Sequence, residues 1–223
     1  MILPQFDPRQ VPVSQIDGHL GVVPNNALQP QALRQRFAAP PNWQPEFSVE
    51  KKFMNRLPMH AAVLVPIVMR SEPTVLLTLR TAHLSTHSGQ IAFPGGKVDA
   101  SDADVVDAAL REAHEEVGLA REFVEVLGQL PVYVTGSVFH VTPVVALVSP
   151  GFSLQPNPFE VADVFEVPLN FLMNPAHHRH HQIDFQGGQR EWLSMPYQDG
   201  ATERFIWGAT AGMLRNFYCF LRA

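Results

Sequence analysis

Three glutamates and an arginine share a short segment of the chain. Glu112, Glu115 and Glu116 stand at positions i, i+3 and i+4, and Arg111 precedes Glu115 by four residues. In a helix this spacing brings the carboxylates together, so they repel one another unless a proton, water or a cation relieves the charge. Clustered carboxylate oxygens are ligands that Mg²⁺ and Mn²⁺ accept. The competing interpretation is a solvated acidic face, because exposed helices are commonly rich in glutamate.

The segment that carries these glutamates has clear helical signals. Apolar residues recur at helical spacing from Val106 onward, so one stripe should face a core. The pattern predicts a helix from about Asp102 to Val117, with Asp104 as a capping residue and Gly118 as the left-handed residue that stops it. The acidic cluster is expected on a different face from the apolar stripe.

A tight turn precedes the helix. The sequence Phe93-Pro94-Gly95-Gly96 leaves a predicted strand, and glycines let backbone N–H groups approach a phosphate or a carboxylate closely. A Gly-Gly turn alone says little, but beside clustered carboxylates it favours a cation and phosphate site. Arg111 lies one turn before Glu115, where an ion pair would fix the orientation of that carboxylate.

Nine consecutive residues resemble the second half of the box that defines the Nudix hydrolases, which reads Arg-Glu-aliphatic-x-Glu-Glu-x-Gly-aliphatic. They are Arg111-Glu112-Ala113-His114-Glu115-Glu116-Val117-Gly118-Leu119. The first half of the box departs from the family pattern. Counted from Gly96, the acidic position falls on Asp102 instead of a glutamate, and Arg111 comes one residue later than in the general pattern.

A narrower resemblance, to the coenzyme A pyrophosphatase subgroup, rests on two upstream motifs. They are Leu76-Leu77-Thr78-Leu79-Arg80 and Gly89-Gln90-Ile91-Ala92-Phe93-Pro94-Gly95-Gly96. Two positions differ from the subgroup, since Thr81 stands where Ser or Ala is usual and Ser85 stands where the subgroup has an arginine. The family resemblance covers roughly residues 60 to 170, and residues 206 to 210 also resemble the subgroup.

The resemblance implies an α+β fold, a Nudix-like α/β/α sandwich with a mixed β-sheet and the box on a loop-helix-loop. It also implies metal-dependent hydrolysis of a pyrophosphate bond, with Mg²⁺ or Mn²⁺ held by Glu112 and Glu116 and with Glu115 completing the shell. Metal ions of this kind neutralise phosphate charge and lower the pKa of an attacking water.

The remaining expected roles are catalysis and substrate binding. The general base is left open between Glu115 and Glu160, whose alternative is a plain surface acid. Arg111 is a third candidate catalytic residue. Arg80 is expected to bind the substrate, with an ordinary charge at a strand end as its alternative, and Gly95 and Gly96 are expected to line the same site.

Three functions remain open. The first is hydrolysis of coenzyme A, or a CoA derivative, to 3′,5′-ADP and 4′-phosphopantetheine or its acyl form. The second keeps the chemistry but acts on another nucleoside diphosphate derivative, such as ADP-ribose or NADH, because Ser85 lacks the subgroup's cation. The third is a non-catalytic nucleotide-sensing domain, against which the intact glutamates argue.

Composition narrows the class of protein. The chain has 223 residues, 46% hydrophobic content and a formal net charge of -5, which suits one globular domain and disfavours nucleic acid. We expect an extension at residues 1–58 packed on a domain at residues 59–223. Neither an export signal nor a membrane span is expected, which points to the cytoplasm without membrane attachment. The subgroup resemblance implies a CoA-like nucleotide as the small-molecule substrate, and the sequence leaves a homodimer open.

The other predicted elements frame this centre. Apolar runs predict strands, and an apolar segment near the C-terminus, Arg204 to Leu221, predicts a helix packed on the domain. The basic tract His177 to His181 is expected to be a solvated loop. Trp192 and Tyr197 are expected either to stack on a base or to pack in the core. The predicted strands are at 61–69, 74–80, 91–93, 123–127 and 138–148, with weaker ones at 182–185 and 191–194.

Overall fold

The computed structural model describes residues 7–52, 57–82, 88–185 and 188–223. Ser85, which departs from the subgroup pattern, lies outside these ranges. The strands are β1 (Val13–Ile16), β2 (Met59–Val68), β3 (Thr74–Arg80), β4 (Ile91–Ala92), β5 (Gly95–Lys97), β6 (Val124–Gln129), β7 (Tyr133–Val134), β8 (Phe139–Val148), β9 (Val161–Pro168), β10 (Arg179–Phe185), β11 (Gly188–Asp199) and β12 (Thr202–Trp207). The α-helices are α1 (Pro30–Ala38), α2 (Val105–Val117), α3 (Leu169–Leu172) and α4 (Gly208–Arg222).

A mixed sheet forms the centre of the molecule. Within the described ranges its main path runs β4-β3-β2-β8-β6, with β5 beside β2, β7 beside β8 and β9 beside β3. Strands β2 and β8 pair in parallel over ten residues each, whereas the other pairings are antiparallel. Since β2 and β8 are apolar on both faces, both faces of this sheet need a cover.

Alternation along β2 shows how the two faces are filled. Val65 and Ile67 belong to one apolar core, and Leu64 and Val68 belong to the other. Helix α2 covers the second face through Ala108, Ala109, Ala113 and Val117, which are at most 1% exposed. Helix α4 joins the first core through buried residues that include Leu214 and Phe217. The predicted α/β/α sandwich with a mixed sheet is confirmed.

A smaller antiparallel sheet, ordered β1-β10-β11-β12, lies on the α4 side. Its residues Leu193, Met195 and Ile206 join the same core as α4. No helix in the described ranges is long and apolar enough to cross a membrane.

The N-terminal segment 7–52 is packed against the rest of the chain. Leu28 and Leu33 are 2% and 0% exposed and belong to the α4-side core. Arg34 forms an ion pair with Glu125 of β6 at 2.7 Å. Strand β1 adds to the edge of the smaller sheet by pairing with β10. These contacts support the proposal that residues 1–58 form an extension packed on the domain at 59–223.

Two helices are present but begin later than predicted. The apolar segment from Arg204 is a strand as far as Trp207 and turns into a helix at Gly208, whose φ is +62°. Phe205 and Ile206 are buried there by pairing with β11, and an apolar run does not by itself distinguish a buried strand from a buried helix. The helix predicted from about Asp102 begins at Val105, because Asp104 is the residue that caps it.

The histidine tract is not the predicted solvated loop. Most of it is the start of β10, and His178 and His181 are 0% and 3% exposed. His180 contacts buried Asp17 at 2.7 Å between Nε2 and Oδ2, and His181 contacts Ser194. Strand β1 and helix α4 pack over the tract, so its histidine rings contribute to packing within the fold.

His178 generates a prediction for acid stability. Its Nε2–H donates to the Leu172 carbonyl at 2.8 Å, and its Nδ1 accepts from Arg215 at 3.0 Å. Burial lowers the pKa of His178 from 6.5 to about 4. In this pH range the unfolded chain therefore binds a proton at His178 that the folded state does not bind. The free energy of unfolding falls for this reason as the pH drops from 6.5 towards 4. We expect a loss of about 3 kcal/mol over this range, measured by urea unfolding.

The matched variants for this measurement are His178→Gln and His19→Gln. His19 is exposed, so its variant should keep the acid-dependent loss of stability of the native chain. The His178→Gln variant should lose most of that pH dependence, whatever its stability at neutral pH. Equal pH slopes for the two variants would show that another group causes the acid sensitivity.

Candidate active site

Helix α2 carries its acidic residues to the edge of the central sheet. Asp104 caps its first turn by accepting from the amides of Val106 and Asp107, both at 2.8 Å. Gly118 ends it at φ +72°, with its N–H directed at the carbonyls of Ala113 and His114. Since the apolar stripe of α2 is fixed on the sheet, the position of each glutamate is fixed with it.

Glu116 is the most deeply placed of the three glutamates. The residue is 3% exposed, and its Oε2 accepts from the backbone N–H of Gly95 at 3.0 Å. Its Oε1 lies 3.4 Å from a guanidinium nitrogen of Arg80, at the end of β3. Glu116 therefore joins α2, β5 and β3 at one point, which corrects the simpler picture of an acid on a face away from the core.

Glu112 lies one turn earlier and faces the second glycine of the turn. A Cβ atom added to Gly96 would lie 2.5 Å from the carboxylate carbon and both oxygens of Glu112. A Cβ on Gly95 would instead lie 2.4 Å from the carbonyl oxygen of Ala62 and 2.6 Å from the Cα of Val63. The two glycines therefore have different tasks: Gly95 lets β5 pack on β2, and Gly96 leaves room for a carboxylate.

Arg111 connects the loop before α2 to the helix. Its Nε and one terminal nitrogen donate to the two carboxylate oxygens of Asp102, at 2.8 and 3.0 Å. The same terminal nitrogen also donates to the carbonyl of Lys97. The other terminal nitrogen contacts Glu112 at 3.0 Å and Glu115 at 2.9 Å. The ion pair with Glu115 that the spacing indicated is therefore present. Arg111 holds the loop, Glu112 and Glu115 in one arrangement.

Asp102 is the residue of this site whose role the sequence did not reveal. Its side chain is 2% exposed, and its hydrogen bonds from Arg111 hold its pKa at about 2. The sequence offered a signal, because Asp102 stands at the acidic position of the box. In the sequence alone, however, an aspartate there departs from the family pattern and suits the start of a helix.

Glu115 and Glu160 differ in their surroundings. The Glu115 side chain is 56% exposed and paired with Arg111. Glu160 lies in a turn whose Asn157 N–H donates to the carbonyl of Glu116 at 2.8 Å. Its charge acts on both Glu112 and Glu116. The fold thus brings a later loop to the acid pair on α2.

The electrostatics of the acid pair are unfavourable without a further cation. Burial is the main cause that raises the pKa of Glu116, to about 7, and the charges of Glu112 and Glu160 raise it further. Burial also raises the pKa of Glu112. Both shifts mean that the ionised carboxylates lack compensating positive charge, which a divalent cation would supply.

The donor set fits a hard cation such as Mg²⁺ or Mn²⁺, because it consists of carboxylate oxygens with open space made by Gly96. Among the described residues, no three acidic, histidine or cysteine side chains already converge as a metal-binding group. Glu112 and Glu116 form a pair, while Glu115 turns towards Arg111. Water or substrate oxygens would therefore complete the coordination.

Arg80 has an unused hydrogen-bond donor within the described residues. One terminal nitrogen is directed at Glu116, but its buried Nε has no hydrogen-bond partner within the described part of the chain. A buried donor without a partner is unfavourable. An anionic ligand entering beside Glu116 would meet this guanidinium.

The chain is similar in sequence to known proteins over most of its length. The model of the NUDIX domain matches residues 58–186, which include β2 to β9 and α2. The "Uncharacterized Nudix hydrolase NudL" of Enterobacter sp. (strain 638) is 46% identical over 159 residues, covering 70% of this chain and 79% of that protein. The protein of the same name from Shigella flexneri is 43% identical over 176 residues, covering 76% and 88%. A solved MutT/nudix family protein from Enterococcus faecalis is 17% identical, covers 74% of this chain and 62% of that chain, and has a TM-score of 0.44.

The close approach at Gly96 gives a test of the cation site. In Gly96→Ala the new Cβ atom would meet the flexible end of Glu112, so the carboxylate should move while the backbone stays in place. We expect the affinity for Mn²⁺ to fall roughly 10-fold, as is typical when the support of a metal ligand is lost. Electron paramagnetic resonance titration of free Mn²⁺ measures this, and the thermal unfolding midpoint checks the fold.

Gly18→Ala is the matched control. A Cβ at Gly18 would lie 3.9 Å from Ala176, an ordinary contact, so the Mn²⁺ affinity should not change. If Gly96→Ala bound Mn²⁺ as tightly as Gly18→Ala, Glu112 would not be a metal ligand.

Proposed function

The chain belongs to the Nudix family, and we propose that this pyrophosphohydrolase acts on coenzyme A or its derivatives. The family assignment rests on the NUDIX match and on relatives named Nudix hydrolase that are up to 46% identical. Hydrolysis of a pyrophosphate bond with a divalent cation follows from membership of the family. The identity of the substrate and the roles of individual residues belong to the proposal.

The single observation that carries the chemistry is the acid pair beside Gly95 and Gly96, in which Glu116 is buried and Glu112 is partly buried. Two carboxylates with raised pKa values, a glycine-made space and a guanidinium with an unused donor lie together. This combination suits a cation and an anionic diphosphate arriving together. A solvated acidic face would leave Glu116 exposed, whereas it is 3% exposed.

Coenzyme A is proposed because of the two motifs that resemble the CoA pyrophosphatase subgroup. The first ends at Arg80, which lies against Glu116, and the second ends at Gly95 and Gly96, which contact the acid pair. Both motifs therefore border the same site. The products would be 3′,5′-ADP and 4′-phosphopantetheine, or its acyl form.

In this proposal Glu112 and Glu116 hold Mg²⁺ or Mn²⁺, with Glu115 as a further ligand when its carboxylate leaves Arg111. When bound, the cation would neutralise the diphosphate and lower the pKa of water. Arg80 would bind a phosphate oxygen through its buried Nε, and Gly95 and Gly96 would let the phosphate approach the backbone. Arg111 would act as a positioning residue, because its contacts go to protein groups.

Between the two candidate bases we propose Glu160. Its carboxylate would take a proton from the attacking water as the new P–O bond forms and the anhydride P–O bond breaks, leaving two phosphate monoesters. Glu160 is within electrostatic reach of both acids of the pair, while Glu115 is already engaged by Arg111 at 2.9 Å. A carboxylate held in an ion pair is less free to contact an attacking water.

A substrate panel tests the proposed function. CoA, an acyl-CoA, ADP-ribose and NADH are each incubated with Mg²⁺ or Mn²⁺, and the phosphate-containing products are identified by mass spectrometry. We expect CoA and acyl-CoA to give the highest kcat/KM. Faster turnover of ADP-ribose or NADH would favour the second substrate class. The presence of Ser85, where the subgroup has an arginine, supports that class. An absence of turnover with binding retained would indicate a nucleotide sensor.

Glu116→Gln is expected to lower kcat by about three orders of magnitude, because an amide cannot replace an anionic metal ligand. The fold should survive. The amide oxygen can still accept from the N–H of Gly95, and the neutral side chain removes repulsion from Glu112 and Glu160. Steady-state kinetics with saturating Mg²⁺ and the unfolding midpoint measure the two effects.

Glu122→Gln is the control for this experiment, since Glu122 is an exposed acid outside the site. It should retain native kcat and native stability. If Glu116→Gln also retained native kcat, the assignment of Glu116 as a metal ligand would be wrong.

A further inference from the structure

One aromatic side chain stands in solvent at the edge of the candidate site. Of the Phe, Tyr and Trp residues whose side chains the structure describes, Phe159 alone is largely exposed, at 76%. It directly precedes Glu160. An apolar ring left in water costs hydrophobic free energy, and exposed apolar groups beside a polar site are typical of ligand contacts.

The turn that presents Phe159 is held by hydrogen bonds. The Phe159 amide donates to the side chain of Asn157 at 3.1 Å, and its carbonyl accepts from the hydroxyl of Thr81 at 3.1 Å. The amides of Glu160 and Val161 donate to the carbonyl of Asn157. These bonds fix the backbone of the turn, so the position from which the ring projects is set before a ligand binds.

The same turn is attached to the catalytic groups on both sides. The amide of Asn157 donates to the carbonyl of Glu116, and the amide of Thr81, the residue after Arg80, donates to the carbonyl of Glu160. The charge of Glu160 acts on Glu112 and Glu116. Phe159 therefore lies one residue from a carboxylate whose charge acts on the acid pair.

The aromatic residues that the sequence offered for base stacking are engaged elsewhere. Trp192 is 6% exposed and stacks on the His181 ring with centroids 5.6 Å apart. Tyr197 packs edge-on against Phe171 with centroids 4.9 Å apart. Both are taken up by packing on the side of the molecule where the smaller sheet lies. Phe159 is left with its ring faces open to solvent.

We propose that Phe159 is the stacking platform for the nucleobase of the substrate. The inference rests on the proposed function, because it places the diphosphate of the ligand at Glu112, Glu116 and Arg80. A planar heterocycle linked to that diphosphate would then lie over a ring at the rim. Stacking of a base on an aromatic side chain tolerates different bases, so Phe159 would select nucleotides over diphosphates that carry no base.

The test compares two ligands that differ in the base. ADP and inorganic pyrophosphate are each titrated into the protein with Mg²⁺ by calorimetry. In Phe159→Ala the affinity for ADP should fall roughly ten-fold, while the affinity for pyrophosphate should stay within two-fold. Phe159→Tyr keeps the ring and should bind ADP as the native protein does. Val22→Ala removes another exposed apolar side chain, from the N-terminal segment, and should change neither affinity.

Several outcomes would overturn the proposal. Native ADP affinity in Phe159→Ala would do so, and so would an equal loss of affinity for ADP and pyrophosphate. A titration with 4′-phosphopantetheine adds a third case: if its affinity falls and that of ADP does not, Phe159 contacts the pantetheine arm and the base-stacking assignment is wrong. A native unfolding midpoint for the variant shows that the turn is intact.

The inference and the proposed function fail in distinguishable ways. Turnover of CoA by the native protein, with an unchanged ADP affinity in Phe159→Ala, would retain the enzyme and remove the stacking role. Loss of ADP affinity in Phe159→Ala, with no turnover of any member of the panel, would retain the stacking role and remove the enzymatic assignment. A native protein that binds neither ADP nor pyrophosphate in the presence of Mg²⁺ would overturn both.

Discussion

The placement of buried Glu116 beside partly buried Glu112 is the constraint on which the rest of the structure depends. Charged groups removed from water destabilise a fold unless bonds or opposite charges compensate them. The hydrogen bond from Gly95 and the guanidinium of Arg80 compensate in part, yet the pKa of Glu116 still rises to about 7. Packing elsewhere must therefore hold the acids in place. The fully buried stripe of α2 on the central sheet provides it.

Backbone contacts set the precision of this site. Gly95 lies so close to β2 that no side chain fits there. At Gly96, the carboxylate of Glu112 occupies the space that a side chain would fill. On the other side, backbone hydrogen bonds attach the turn at Asn157 to the carbonyl of Glu116. Backbone moves less than the end of a long side chain, so the acids, the turn and Phe159 keep their relative positions. This is the preorganisation that binding and catalysis at a diphosphate require.

The sequence was sufficient where the signal is local. The glycine stop of α2 and its apolar stripe depend on residues within four positions, and both are present as predicted. The start of α2 is less local, because Asp102 is an acid that suits the positive end of a helix, whereas its partner in the structure is Arg111, nine residues away. The histidine tract was misread for a stronger reason. Asp17, which meets His180, lies 163 positions earlier, and no local pattern reports such a contact.

The charges around the acid pair explain why a divalent cation matches this site. The acids of the site are Asp99, Asp102, Glu112, Glu115, Glu116 and Glu160, and the two guanidiniums that face them belong to Arg80 and Arg111. Negative charge is therefore in excess when these acids are ionised. Water screens much of the charge of Glu115, which is 56% exposed, and a divalent cation would compensate the excess at Glu112 and Glu116. A diphosphate would add further negative charge to the site. The unpartnered Nε of Arg80 would offset part of that charge. Binding of the substrate would therefore depend on binding of the cation.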